Sequence, residues 1–153
     1  MHRNEYPRPD FVREHWACLN GIWDFEFDDN NIGMSSKWYK KDHKLTEKIN
    51  VPFVFQSKLS NININDFHDF IWYKREFTID DSWKNKDILL HFGAVDYRCH
   101  VFINGELAGS HEGGHTSFYL NITNYLTWDK EEITVYVEDP SDDETIPRGK
   151  QYW

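Results

Sequence analysis

At 153 residues and 18.4 kDa the chain fits one domain, and folding at that size removes roughly 68–70% of the unfolded surface from water. A formal charge of -9, with Lys and Arg segregated onto no segment, argues against nucleic acid, because neutralising phosphates requires clustered cations. The longest apolar stretch, Phe70–Tyr73, is far short of the ~20 residues that cross a bilayer, and the polar start Met1–Asn4 lacks a signal-peptide core, so the chain reads as soluble, cytoplasmic and independent of membranes.

Residues 1–12 read as an extended N-terminal arm. The first alternation follows, with Leu19, Trp23, Phe25 and Phe27 opposed by Asn20, Asp24, Glu26 and Asp28, the period-2 pattern of a half-buried strand. It returns in Ile71, Tyr73, Phe77 and Ile79 against Lys74, Glu76 and Thr78, and in Ile88, Leu90 and Phe92 around Leu89 and His91. Arg98–Ile103 and Glu106–Ser110 flank Asn104-Gly105, the pair that most readily takes positive φ at both centres of a type I′ turn, which predicts a hairpin. Phe118, Leu120 and Ile122 form a further strand, as do Ile133, Val135 and Val137, the latter alternating with Thr134, Tyr136 and Glu138. Breakers at 28–36, 57–69, 80–87, Gly113-Gly114 and 139–149 separate them. A short turn is expected within Tyr125–Lys130, and no helical stripe of ten residues is evident. Aromatics at 17% can fill the core despite a mean hydropathy of -0.76, Trp23, Trp72, Phe92 and Phe118 being assigned to it. The pattern predicts an all-β sandwich of jelly-roll type.

Few motifs suggest chemistry. His111-Glu112-Gly113-Gly114-His115 matches the H-E-x-x-H zinc pattern, yet the imidazoles share a face only on a helix, and two adjacent glycines after a hairpin strand point to a loop. No metal site is expected. The acidic segment Glu138–Glu144 reads as a solvated loop rather than a cation site. Cys18 and Cys99 can bridge or stay reduced; without secretory evidence two buried thiols are expected. No nucleophile elbow and no phosphate-binding glycine loop occurs, and no cofactor is expected.

Leu19-Asn20-Gly21-Ile22-Trp23-Asp24-Phe25, Val51-Pro52-Phe53 and Trp72-Tyr73-Lys74-Arg75-Glu76-Phe77 resemble, in order and spacing, the N-terminal sugar-binding domain of family 2 glycoside hydrolases, which include β-galactosidases, β-glucuronidases and β-mannosidases. Phe92-Gly93-Ala94-Val95-Asp96-Tyr97, Val101-Phe102-Ile103-Asn104-Gly105, Gly109–Phe118 and Pro147–Trp153 continue the likeness, which covers nearly the whole chain from Pro7.

The resemblance implies a jelly-roll domain that precedes an immunoglobulin-like domain and a TIM barrel carrying an acid/base and a nucleophilic glutamate, so that residues 1–153 hold no catalytic residue. It also implies a chain that stops before its last strand, leaving a sheet edge or aromatic surface uncovered. Asp96 is implied to meet the sugar's hydroxyls, a carboxylate being able to accept from two of them; a turn-capping Asp is the competing reading. Gln151 falls where several relatives carry Asp and is the second implied substrate contact. Arg148 and Trp153 are implied to hold the 139–153 loop against the barrel, with Glu112 and His115 positioning the loop that faces the other domains. Partners are then a β-glycoside and the remaining domains of the same polypeptide, with homo-oligomer formation left open. A free-standing carbohydrate-binding module and a purely structural docking domain are the alternatives, and the sugar itself is not specified.

Overall fold

Where the sequence alternates, the backbone is extended. The computed structural model describes residues 10 and 13–147, and among these lie eight strands: β1 (Gly21–Phe27), β2 (Glu47–Val51), β3 (Phe70–Phe77), β4 (Leu89–Phe92), β5 (Arg98–Ile103), β6 (Glu106–Glu112), β7 (Phe118–Asn121) and β8 (Glu131–Glu138). Six form an antiparallel sheet of order β2-β1-β3-β8-β5-β6, and β4 pairs with β7 in a second sheet. The two are not closed into a barrel. This is the all-β sandwich that alternation predicts.

The inner face of the large sheet carries Trp23, Phe25, Ile49, Ile71, Cys99, Val101, Ile103, Ile133, Val135 and Val137, and Leu90, Phe92, Phe118 and Leu120 of the small sheet pack against them. Register puts Trp23 beside Ile49, Phe25 beside Tyr73 and Val101 beside Val135, so same-face apolar neighbours meet across each ladder. The small sheet sits so close that a Cβ on Gly109 would lie 2.6 Å from Leu120 Cδ2. Asn104 (φ 52) and Gly105 (φ 79) make the left-handed pair that turns β5 into β6, as Asn-Gly predicts.

The outer face departs from the sequence reading. Lys74, Thr134 and Tyr136, assigned by alternation to the polar side, are buried. The reason is the long β1–β2 connection, which folds back over the sheet and forms a second core from Trp38, Leu45, Trp72, Phe102 and Tyr136. Trp72 therefore belongs to the core on the face opposite Trp23. Asp28 anchors the connection: its carboxylate accepts from Trp72 Nε1 (3.0 Å), Ile32 N (2.8 Å) and Gly33 N (2.8 Å). Lys74 Nζ fixes the far end by donating to the carbonyls of Lys40 (2.8 Å) and His43 (2.9 Å). Buried polar groups satisfied in this way stabilise rather than cost.

Three further corrections follow. Strand β2 escapes the period-2 reading because it lies at a sheet edge and only Ile49 is fully buried. The short turn forms at Thr123–Tyr125, upstream of the expected segment, because the Thr127 and Trp128 N–H groups turn instead to the Glu131 carboxylate. Cys18 is exposed and only Cys99 is buried: Cys18 lies on the irregular approach to β1, outside the alternating set, whereas Cys99 points inward from β5.

Candidate functional site

Val95, Asp96 and Tyr97 lie in the connection from β4 to β5. Val95 packs on the inner core, and the backbone is tied on both flanks: Tyr97 N–H donates to the Glu138 carbonyl at the end of β8 (3.2 Å), while the Tyr97 carbonyl accepts from Gly113 N (2.8 Å). The Asp96 turn is therefore pinned between β8 and the β6–β7 connection. Its carboxylate is half-buried and lies against Gly114, where a Cβ would overlap it. No hydrogen bond or ion pair engages the Asp96 carboxylate among the described residues, so its acceptor capacity is unspent and the turn-capping reading has no bond to carry it.

Beside this turn Arg98 joins three elements. Its Nε donates to Glu112 Oε2 (2.8 Å) and its Nη1 to Glu138 Oε1 (2.9 Å), while the guanidinium carbon lies 5.8 Å from the Tyr97 ring centroid, within cation–π range. Tyr97 OH donates to the other Glu112 oxygen (3.3 Å). The electrostatics follow: the Arg98 bond draws the Glu112 carboxyl below its ordinary pKa, and the same bond raises that of Arg98. Burial first, then the Glu112 charge, raises the Tyr97 phenol. These groups are fixed in their charged or neutral forms at neutral pH, which suits positioning and not proton transfer.

The H-E-x-x-H residues are not helical. His111 and Glu112 end β6, the chain turns at Gly114 and His115, and His115 is exposed. His111 stacks on Phe118 (centroids 4.1 Å apart), which stacks on Phe92 (4.7 Å), and its Nε2 is 3.0 Å from Thr116 Oγ1. No group of three or more His, Cys, Asp or Glu among the described residues is arranged to hold a metal.

Of the implied site residues, the fold brings Asp96 and Glu112 to one end of the sandwich, beside the start of the 139–147 segment that leaves β8. His115 is on the adjoining loop but engages neither. Arg148, Gln151 and Trp153 lie outside the described residues. The surface here is open: Arg98, Cys99, His100, Ser110, His111 and Glu112 line a groove of about 270 Å³. A larger depression of about 640 Å³ among Lys84–Asp87, Thr123 and Trp128 lies at the opposite end of β4. Ligand sites that act alone bury most of their ligand, and both depressions are open to solvent.

Residues 16–153 match the family described as "Glycosyl hydrolases family 2, sugar binding domain". The chain belongs to that family. Among relatives, it is 27% identical over 146 residues to a β-glucuronidase of Paenibacillus borealis, covering 95% of this chain and 24% of that protein. It is 28% identical over 134 residues to a β-galactosidase of Thermoanaerobacter pseudethanolicus, covering 86% of this chain and 16% of that one. A solved β-glucuronidase from Ruminococcus gnavus, in complex with a C6-substituted uronic isofagomine, superposes with a TM-score of 0.74 at 28% identity, covering 88% of this chain and 23% of that chain. The chain thus spans about a quarter or less of the length of these glycoside hydrolases, and its β-sandwich is the one such enzymes contain.

Sequence reasoning missed Arg98 and Gly114. Counting outward from the Asn104-Gly105 turn sets His111 across from Arg98, but the ladder slips between Val101 and Phe102 and brings Glu112 opposite Arg98 instead. A bulge of this kind re-aims the side chains beyond it by one residue.

Proposed function

We propose that this family 2 domain forms one wall of the substrate pocket of a retaining β-glycosidase and braces the domain that carries the chemistry. Asp96 accepts hydrogen bonds from hydroxyls of the bound sugar. The observation that carries this reading is the Asp96 carboxylate itself, half-buried on a turn tied to two neighbouring elements, with no donor of its own among the described residues. An ionised carboxylate is acceptor-only, and its two oxygens match two adjacent hydroxyls. The tied backbone lets it do so without reorganisation, the condition for a useful contact in a transition state. The chain alone is inactive in this reading, because retaining hydrolysis needs two carboxyl groups ~5–5.5 Å apart across the glycosidic bond, and these belong to the rest of the polypeptide.

The test compares hydrolysis of aryl β-glucuronides and aryl β-galactosides by the 153-residue chain and by the longer glycosidase. Activity in the longer protein alone is expected; turnover by the short chain overturns the reading. Calorimetric titration of the short chain with mono- and oligosaccharides adds a second check, since micromolar binding would make it a free-standing module.

A further inference from the structure

We propose that Gly114 is a positioning residue for the sugar contact, its lack of a side chain being what seats the Asp96 carboxylate. This rests on the reading of Asp96 given above and adds to it a residue on another loop, eighteen positions along the chain.

Glycines are required for two separable reasons, a left-handed backbone or a lack of room. Gly113 is of the first kind, with φ +124. Gly114 is not: its backbone is outside the positive-φ set, so an L-residue is tolerated there conformationally. Room is the constraint, and one side chain imposes it. The three heavy atoms nearest to a Cβ built at Gly114 are Asp96 Oδ1, Cγ and Oδ2, with Oδ1 and Cγ overlapped outright. Atoms at the end of a short, rotatable side chain yield more readily than backbone, so an alanine at 114 swings the carboxylate aside and leaves the sandwich intact.

The surroundings make that displacement costly to function. Gly113 N–H holds the Tyr97 carbonyl at 2.8 Å, so the loop bearing Gly114 and the turn bearing Asp96 are tied together one residue from the contact on each side. Arg98, bound to both Glu112 and Glu138, fixes the strand ends from which both loops depart. Neither loop can withdraw to admit a methyl group while these bonds stand; the carboxylate moves instead.

The experiment is a double-mutant cycle in the glycosidase that carries this domain: Gly114→Ala, Asp96→Ala and the pair, each with kcat, KM and thermal midpoint. Loss of hydrogen bonds to a charged group predicts a fall of about tenfold or more in kcat/KM for Asp96→Ala. Gly114→Ala is expected to give a comparable fall with an unchanged thermal midpoint, and to add nothing once Asp96 is alanine, because the colliding atoms are then gone. A further loss from Gly114→Ala in the Asp96→Ala background overturns the inference and makes Gly114 merely structural. So does full activity of Gly114→Ala beside an impaired Asp96→Ala, which leaves Asp96 as a sugar contact. Should Gly114→Ala not fold, the double variant decides: recovery of folding upholds the collision with Asp96, and continued failure overturns it. An unimpaired Asp96→Ala overturns the reading of Asp96 itself.

Discussion

Lys74 Nζ lies 3.4 Å from Glu132 Oε1 on the outer face of the large sheet, with side chains only 2% and 3% exposed. Burial pulls the Lys74 pKa down and the Glu132 charge opposes it. Such a pair contributes little by existing but leaves an uncompensated charge when halved. Lys74→Met is therefore expected to cost about 3–5 kcal/mol, lowering the thermal midpoint by roughly 10 °C for a domain of this size. Lys74→Met combined with Glu132→Leu should recover the part of the loss that comes from the unpaired charge, while the Lys40 and His43 carbonyls stay without their donor. A single variant as stable as the parent, followed by scanning calorimetry, would show that the pair does not hold the β1–β2 connection.

Glu131 supplies an acid-side prediction. It is fully buried, and burial alone would raise its pKa; bonds from Asn104, Thr127 and Trp128 outweigh this and hold it below the ordinary 4.5. A depressed carboxyl contributes stability above its unfolded value, and that contribution is lost as pH falls through the lower, folded one. Glu131→Gln should cost about 1–3 kcal/mol at pH 7. Its unfolding free energy should also fall less steeply than the parent's below pH 4.5. Urea titrations between pH 3 and 7 read both effects.

How much of this was legible beforehand follows from what alternation can carry. The Asn104-Gly105 hairpin and the inward set around Trp23, Phe25, Ile133 and Val135 could be read directly, because local turn chemistry and period 2 specify them. The second core could not. Lys74, Thr134 and Tyr136 look like a solvent face, and only the returning β1–β2 connection, a long-range contact without local signal, removes them from water. The site divides in the same way. Asp96 was accessible through the family likeness, whereas Arg98 and Gly114 depend on a bulge and on a contact between loops.

The two thiols should separate cleanly. Cys18 is exposed, whereas burial pushes the Cys99 thiol up to about 11, and reactivity follows the thiolate. Titration with a chromogenic disulfide at pH 8 should consume one equivalent rapidly and the second only on unfolding. A raised thiol pKa also means that the stability it confers is complete below 9.0 and disappears as pH climbs through about 11, so Cys99→Ala should flatten the alkaline limb. Equal labelling rates for both cysteines would contradict the burial of Cys99.

Two glycines provide the sharpest contrast in stability. A Cβ at Gly33 would stand 2.5 Å from Trp72 Nε1 and 2.7 Å from Asp28 Oδ2, the two ends of the buried bond that anchors the β1–β2 connection. The indole cannot yield, since it is packed between Trp38 and Tyr136, with centroids 5.9 and 4.8 Å away. Gly33→Ala should therefore destabilise by about 1–3 kcal/mol through overpacking. At Gly93 nothing lies within 4 Å of the same atom and φ is not positive, so Gly93→Ala meets no obstacle and restricts only the unfolded chain, a gain of about 0.4–1 kcal/mol. Opposite shifts in the urea midpoint at constant slope are the expected signature. If Gly33→Ala matched Gly93→Ala, the Asp28–Trp72 bond would not be what holds the connection over the sheet.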